Sequence, residues 1–268
     1  MGRSRWQLER MVMRPFNWTW FEKAAYFARF KLIKRVFPWF NREGLNVYFL
    51  PINEDISLSA NTPVPLNILE EMIDRVSHRV IVDVCMCRET LKCRKYPHDI
   101  GCLMMGRSAL EIDPSFRREV DAEEAKMHAR RAVEAELIPI IGKVRVDNFV
   151  FGIKNKRQLL SVCFCCECCC ICRFAKHVPV ELRAENLHGL EGLTIEVGDE
   201  CDACGACEKV CFLEVIRMDG GKAVIGEGCV GCGRCARACK RGAIRISLDN
   251  PKMVDDVCAH LEALVDIT

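Results

Sequence analysis

The chain lacks any long hydrophobic run: its longest uncharged stretch falls far short of the roughly 20 apolar residues that a membrane-spanning helix needs. Its first 20 residues contain no apolar signal-peptide core, only Trp, Arg and Met mixed with polar residues, and no twin-arginine pair stands near the start. Nothing here predicts export. A reducing cytoplasm is the expected compartment, with the inner face of the membrane as a peripheral option. Net charge is almost absent, at +2 from 39 Lys and Arg against 37 Asp and Glu, which by itself excludes no partner. No nucleophile–base pair or other catalytic constellation is visible, and no nucleic-acid-binding motif accompanies the basic residues. Aromatic residues are sparse beyond position 50, because thirteen of the twenty, including all four tryptophans, fall before it.

Cysteine is the opposite case. Twenty cysteines in 268 residues belong either to a secreted disulfide scaffold or to a metal protein. With no export signal and several cysteines adjacent in sequence, metal clusters are the better account. Such thiolates and clusters oxidise in air, so an anaerobic setting is expected. The most ordered stretch reads Cys201-x-x-Cys204-x-x-Cys207-x-x-x-Cys211 and then Cys229-x-x-Cys232-x-x-Cys235-x-x-x-Cys239.

Two copies of that run are the ligand pattern of a two-cluster iron–sulfur domain. Three thiolates two residues apart let one tight loop wrap three corners of a 4Fe–4S cube, and the fourth points toward the other cube. The rule assigns Cys201, Cys204, Cys207 and Cys239 to one cluster and Cys211, Cys229, Cys232 and Cys235 to the second. Gly205, Gly231 and Gly233 allow the backbone to approach sulfur and aim N–H groups at it. Zinc knuckles are the competing account, but zinc needs four ligands in two pairs, and a duplicated triplet plus a fourth cysteine exceeds that.

Eleven more cysteines lie upstream in two groups: Cys85, Cys87, Cys93 and Cys102, then Cys163, Cys165, Cys166, Cys168, Cys169, Cys170 and Cys172. The first four suffice for one site, although their spacing fits no zinc finger. His98, inside that loop, reads as a solvated histidine rather than a ligand. If the second group were a strand, alternation would place Cys166, Cys168, Cys170 and Cys172 on one face, and Cys163, Cys165 and Cys169 on the other. Four ligands per cube leave room for one or two further iron–sulfur clusters. Cys258, on the apolar stripe of a C-terminal helix over 251–265, reads as a core thiol.

The rest of the chain is organised around these groups. Residues 1–43 carry ten Lys and Arg against three Glu, so this segment is +7 and the remainder −5. The spacing predicts an amphipathic helix over 20–37, basic on one side and aromatic on the other, that docks on a partner or lies on a membrane surface. Residues 51–65 read as a linker, 66–78 as a helix and 79–84 as a strand. A charged helix follows, capped by Asp121, with Ala125, His128, Ala129, Ala132 and Val133 on its inner face. Strands are expected over 138–146, 148–153 and 158–162, making a small sheet, and a hairpin over 214–225 turns at Asp219-Gly220-Gly221.

Residues 197–248 resemble the two-4Fe–4S ferredoxins of bacteria and archaea, on the strength of the eight cysteines from Cys201 to Cys239. Phe212 and Lys240 stand where that family has proline after each fourth cysteine. The upstream half is similar to cysteine-rich 4Fe–4S proteins of anaerobes, in which segments like Cys85–Arg88 and Cys163–Cys170 precede a ferredoxin module. The resemblance implies an α+β fold: a basic aromatic extension over 1–50, a cysteine-rich cluster-binding domain over 51–196, a dicluster domain over 197–248 and a helix over 249–268. It implies an electron-transfer subunit of a larger redox complex, with redox proteins as partners and no nucleic acid. A reductase acting on a disulfide or small molecule through an unusual upstream cluster is the alternative.

Overall fold

A computed structural model describes residues 2–4, 7, 44–52, 57–59 and 62–267. The helix expected over 20–37 lies outside these residues. In chain order the strands are β1 (Leu45–Phe49), β2 (Ser57–Ser59), β3 (Thr62–Pro63), β4 (Arg79–Val82), β5 (Leu103–Met105), β6 (Arg117–Glu119), β7 (Ile138–Val144), β8 (Leu160–Cys165), β9 (Leu187–His188), β10 (Leu193–Val197), β11 (Ile216–Asp219), β12 (Lys222–Ile225) and β13 (Ile244–Leu248). The helices are α1 (Val64–Arg75), α2 (Met86–Thr90), α3 (Ala122–Glu134), α4 (Arg145–Phe151), α5 (Val180–Ala184), α6 (Ala206–Val210), α7 (Arg234–Ala238) and α8 (Met253–Leu264).

The fold is mixed α and β. Its centre is a seven-stranded sheet in the order β6-β4-β5-β8-β7-β1-β9, antiparallel except where β9 joins β1. The small sheet expected from sequence is therefore larger, because β1, β4, β5, β6 and β9 join β7 and β8 in it. Residues 45–49 fall in the stretch expected as an extension, yet Val47 and Phe49 are buried and the whole strand pairs with β7.

Alternation along the strands divides the sheet into two apolar faces. Ile81, Leu103, Met105, Leu160, Val162 and Phe164 face a layer built from α1, α3 and α8. α3 starts where Asp121 accepts from the Glu124 N–H, and it buries Ala125, His128, Ala129, Ala132 and Val133. Small side chains there let α1 approach closely. Val80, Val82 and Met104 look the other way, as do Val47, Phe49, Ile138 and Ile140 further along the sheet. This second face carries Cys102, Cys163, Cys165, Cys170 and Cys172, whereas Cys166 and Cys169 pack with the first.

One element differs from expectation in kind. Residues 145–151 form a helix, not a strand, and Gly152 at φ 71° ends it. Its apolar residues satisfy either period over so short a run.

Residues 193–248 form two hairpin-like pairs, β10 with β13 and β11 with β12, flanked by α6 and α7. The unit is internally repeated. Gly205 and Gly233 occupy left-handed backbone at the two matching helix starts, with φ 71° and 80°. Ala203 and Gly231 do the same two residues earlier, with φ 53° and 68°. The unit packs on the cysteine-bearing face of the sheet: Phe212 stacks on Phe49 at 5.7 Å between ring centroids, and the Ile52 N–H donates to the Cys232 carbonyl.

Candidate metal centres

β8 delivers the first of the upstream thiols. Leu160, Val162 and Phe164 point into the helical layer, so Ser161, Cys163 and Cys165 point to the opposite face. The chain leaves the sheet at Cys165 and turns back on itself through Cys166–Cys172. The alternation that a strand over the whole run would give therefore stops at Cys165, and Cys169 does not join Cys163 and Cys165.

A cavity of about 220 Å³ opens beneath this face, lined by Cys85, Cys87, Cys102, Cys163, Cys165, Cys166, Cys170 and Cys172 with apolar side chains between them. Native interiors leave few voids larger than a water molecule, so a space this size is a site rather than a packing defect. Cys165, Cys170 and Cys172 have sulfurs all within 4.8 Å of one another, with Cys170 and Cys165 2.8 Å apart. Cys102 and Cys163 meet at 3.7 Å. Hydrogen bonding with the neighbouring thiols Cys165, Cys172 and Cys87 holds Cys170 well below the usual thiol range, while Cys87 and Arg88 bring Cys85 down to about 7 against the effect of burial.

Two guanidinium groups flank the cavity. Arg88 is fully buried and donates to the carbonyls of Pro97, Phe164 and Ile100. Burial opposes its charge, but the thiols of Cys85, Cys166, Cys102 and Cys165 outweigh that and keep it protonated. Arg183, also buried in the lining, leaves Nε and Nη1 without a hydrogen-bond partner among the described residues. A buried cation without partners is costly unless an anion completes its surroundings. Asp147 also faces the cavity, beside Cys102 and Cys163, and burial pushes its carboxyl up to about 7. No sequence pattern marks Arg183 or Asp147, because their role depends on which wall they reach.

The remaining upstream thiols form a second set. Cys93, Cys166, Cys168 and Cys169 lie within 4.8 Å of one another, and Cys93 meets Cys168 at 3.7 Å. Cys85, Cys87, Cys93 and Cys102, enough by number for one site, do not stay together. Cys93 crosses to the later loop, while Cys85, Cys87 and Cys102 share the cavity with Cys163, Cys165, Cys170 and Cys172. His98 joins neither set: its Nε2 donates to the Cys93 carbonyl and its Nδ1 meets Glu89 at 2.7 Å, contacts that raise its pKa.

In the C-terminal unit, Cys201, Cys204, Cys207 and Cys239 line one small cavity with Met218 and Ile244. Cys211, Cys229, Cys232 and Cys235 lie close enough to act on one another electrostatically, each of the last three feeling Cys211. Burial pushes Cys232 and Cys235 up to about 12, a cost that a bound cation removes by taking the thiolate. Cys258 stands apart, fully buried in α8 among core residues, with its thiol raised by burial to about 11.

The cysteine groups can therefore hold metal. Among the described residues no helix is long and apolar enough to cross a membrane. Comparison with family models, with curated proteins and with solved structures returned no match.

Proposed function

We propose that this chain is an iron–sulfur electron-transfer protein, a subunit of an anaerobic redox complex that passes single electrons between protein partners. Two 4Fe–4S clusters would be held in the C-terminal, ferredoxin-type unit, one by Cys201, Cys204, Cys207 and Cys239, the other by Cys211, Cys229, Cys232 and Cys235. A further iron–sulfur centre would occupy the upstream cavity. Such clusters supply one-electron redox chemistry; the protein tunes it through thiolate ligation, burial and nearby charge.

The observation that carries this reading is the cavity wall. Seven thiols beyond Cys166 converge there between the buried guanidiniums of Arg88 and Arg183, the second with unpartnered N–H groups. A cluster on thiolates is anionic, so it suits a cavity lined by two guanidiniums and by a single carboxyl whose charge burial disfavours. Arg183 also lies close to Cys211 of the C-terminal unit, so one cation serves both neighbourhoods. That proximity suits a relay, in which centres must neighbour one another.

The test is anaerobic purification of the full chain followed by iron and acid-labile sulfide assays. The reading expects more than eight iron per chain, matched by sulfide, and reversible bleaching with a low-potential reductant. Protein that binds no sulfide would defeat it.

One observation favours a second reading. Asp147, with a carboxyl near 7 beside the cavity thiols, is placed to hold a proton next to a redox centre. A disulfide or small-molecule reductase would use such a group. A substrate-dependent change in the EPR signal of the upstream centre separates this reading from pure relay, which predicts none.

A further inference from the structure

We infer that Cys93, Cys166, Cys168 and Cys169 bind one thiophilic metal ion, zinc or mononuclear iron, in a tetrahedral S4 site that is structural and contains no inorganic sulfide. The site is separate from the proposed electron relay and does not rest on it.

The argument starts from how far apart the sulfurs stand. A single ion with metal–sulfur bonds of about 2.3 Å places its four ligands at the corners of a tetrahedron whose edge is about 3.8 Å. Cys93 and Cys168 are 3.7 Å apart, and all four sulfurs lie within 4.8 Å of one another. A cube holds each thiolate on a different iron, along bonds that diverge from the cube's centre, so its four sulfurs stand much further apart. Among the described residues no ferredoxin-type cysteine belongs to a thiol set this tight. Cys165, Cys170 and Cys172 do, but those three open on the large cavity with other thiols, so for them spacing alone does not decide and space does.

Space gives the same answer. The 220 Å³ cavity is reached by Cys166 but not by Cys93, Cys168 or Cys169. Those sulfurs converge on one another, leaving room for an ion.

The surroundings suit a closed site. Four cysteines fill a tetrahedron and leave no open position, which distinguishes structural from catalytic zinc. The ligands also come from two loops far apart in sequence, so the ion would tie the loop after α2 to the turn that follows β8. Glu167, between two of these ligands, points away to Lys95, Tyr96 and Arg234.

The experiment compares full-length wild type with Cys168→Ser and Cys93→Ser, all purified anaerobically, by zinc, iron and sulfide assays. Each variant is expected to lose one zinc, or one iron, per chain while its sulfide content is unchanged. Loss of several irons with matching sulfide would overturn the inference, and so would no loss of metal. Should the variants fail to fold, X-ray absorption on the wild type decides. Four sulfurs at about 2.3 Å around zinc, with no metal neighbour, would support the site. If zinc is absent, cobalt grown into the site should show tetrahedral thiolate bands; their absence overturns it. A chain without any sulfide would sink the relay, yet would leave the single-ion outcome readable.

Discussion

Arg234, at the start of α7 between Cys232 and Cys235, reaches Glu167 of the upstream thiol loop at 2.7 Å, and Tyr96 OH joins both partners. The side chains are 7% and 15% exposed, so the pair is largely removed from water. Burial opposes the Glu167 charge, but Lys95 and Arg234 more than offset it and hold the carboxyl below its usual range. The C-terminal unit is thereby fixed to the upstream loop by a buried ion pair, one residue from a thiol on each side.

Removing one partner leaves the other charged and buried, which costs about 3–5 kcal/mol. Arg234→Met and Glu167→Gln should each destabilise the protein on that scale, and the double variant by clearly less than the sum. Anaerobic denaturant titration of the four proteins measures the coupling. Additive losses would show that the contact contributes no interaction of its own.

The same pair shows what a sequence conveys. The grouping of Cys201, Cys204 and Cys207 was legible because they are neighbours in the chain and line one small cavity, and the inner face of α3 because its period is local. Contacts such as Arg234 with Glu167, or Cys93 with Cys168, join residues 67 and 75 positions apart, and no local pattern encodes them. β1 was missed for a related reason: Leu45–Phe49 follows a strongly basic stretch and shows its strand character only beside β7. α4 was misread because seven residues do not separate a period of two from one of 3.6.

Arg88 carries the next prediction. Its guanidinium satisfies three buried carbonyls and faces thiols of both upstream sets. Arg88→Met leaves those carbonyls unpaired at about 1–3 kcal/mol each, before any loss of charge balance. Arg88→Lys cannot reproduce the fork and should recover only part of the loss. Metal analysis should show depleted upstream sites while the eight C-terminal cysteines keep theirs. Equal depletion of both regions would mean that Arg88 supports the fold alone.

Arg183 tests electrostatics rather than folding. A buried positive charge favours the more negative, reduced state of a nearby cluster. At an effective dielectric near 20, a charge about 10 Å away is worth about 1–2 kcal/mol. Arg183→Met should therefore lower the reduction potential of an adjacent centre by the equivalent amount, read by EPR-monitored redox titration. An unchanged potential would place the cation too far from any centre to matter.

His128 makes stability pH-dependent. Its Nε2 donates to the Gly101 carbonyl at 2.8 Å and its ring meets Phe164 edge-on, so it is buried neutral and its pKa is lowered by desolvation. The unfolded chain takes up a proton below about pH 6.5, where the folded chain does not, so stability falls from there down to the folded pKa and no further. The slope is at most about 1.4 kcal/mol per pH unit. Because metal ligands also protonate in acid, the readout is the difference between wild type and His128→Gln. That difference should be flat at pH 7–8 and change below 6.5; a constant difference would mean that the imidazole does not titrate in this way.

Cys258 supplies the opposite case to the ligands. It sits on the inner stripe of α8, fully buried against the same core as Leu69, Ile73 and Leu261, and belongs to none of the close thiol sets. Its sulfur fills space, as a small apolar group would. Cys258→Ala removes one buried atom, for a loss of about 1 kcal/mol, and should leave zinc, iron and sulfide per chain unchanged. Cys170→Ala removes a similar volume, yet its sulfur lies within reach of both Cys165 and Cys172 in the cavity. It should empty the upstream centre and cost far more than its packing explains. If the two variants lose metal alike, burial and not ligation governs these thiols, and the division of the twenty cysteines into ligands and core would have to be redrawn.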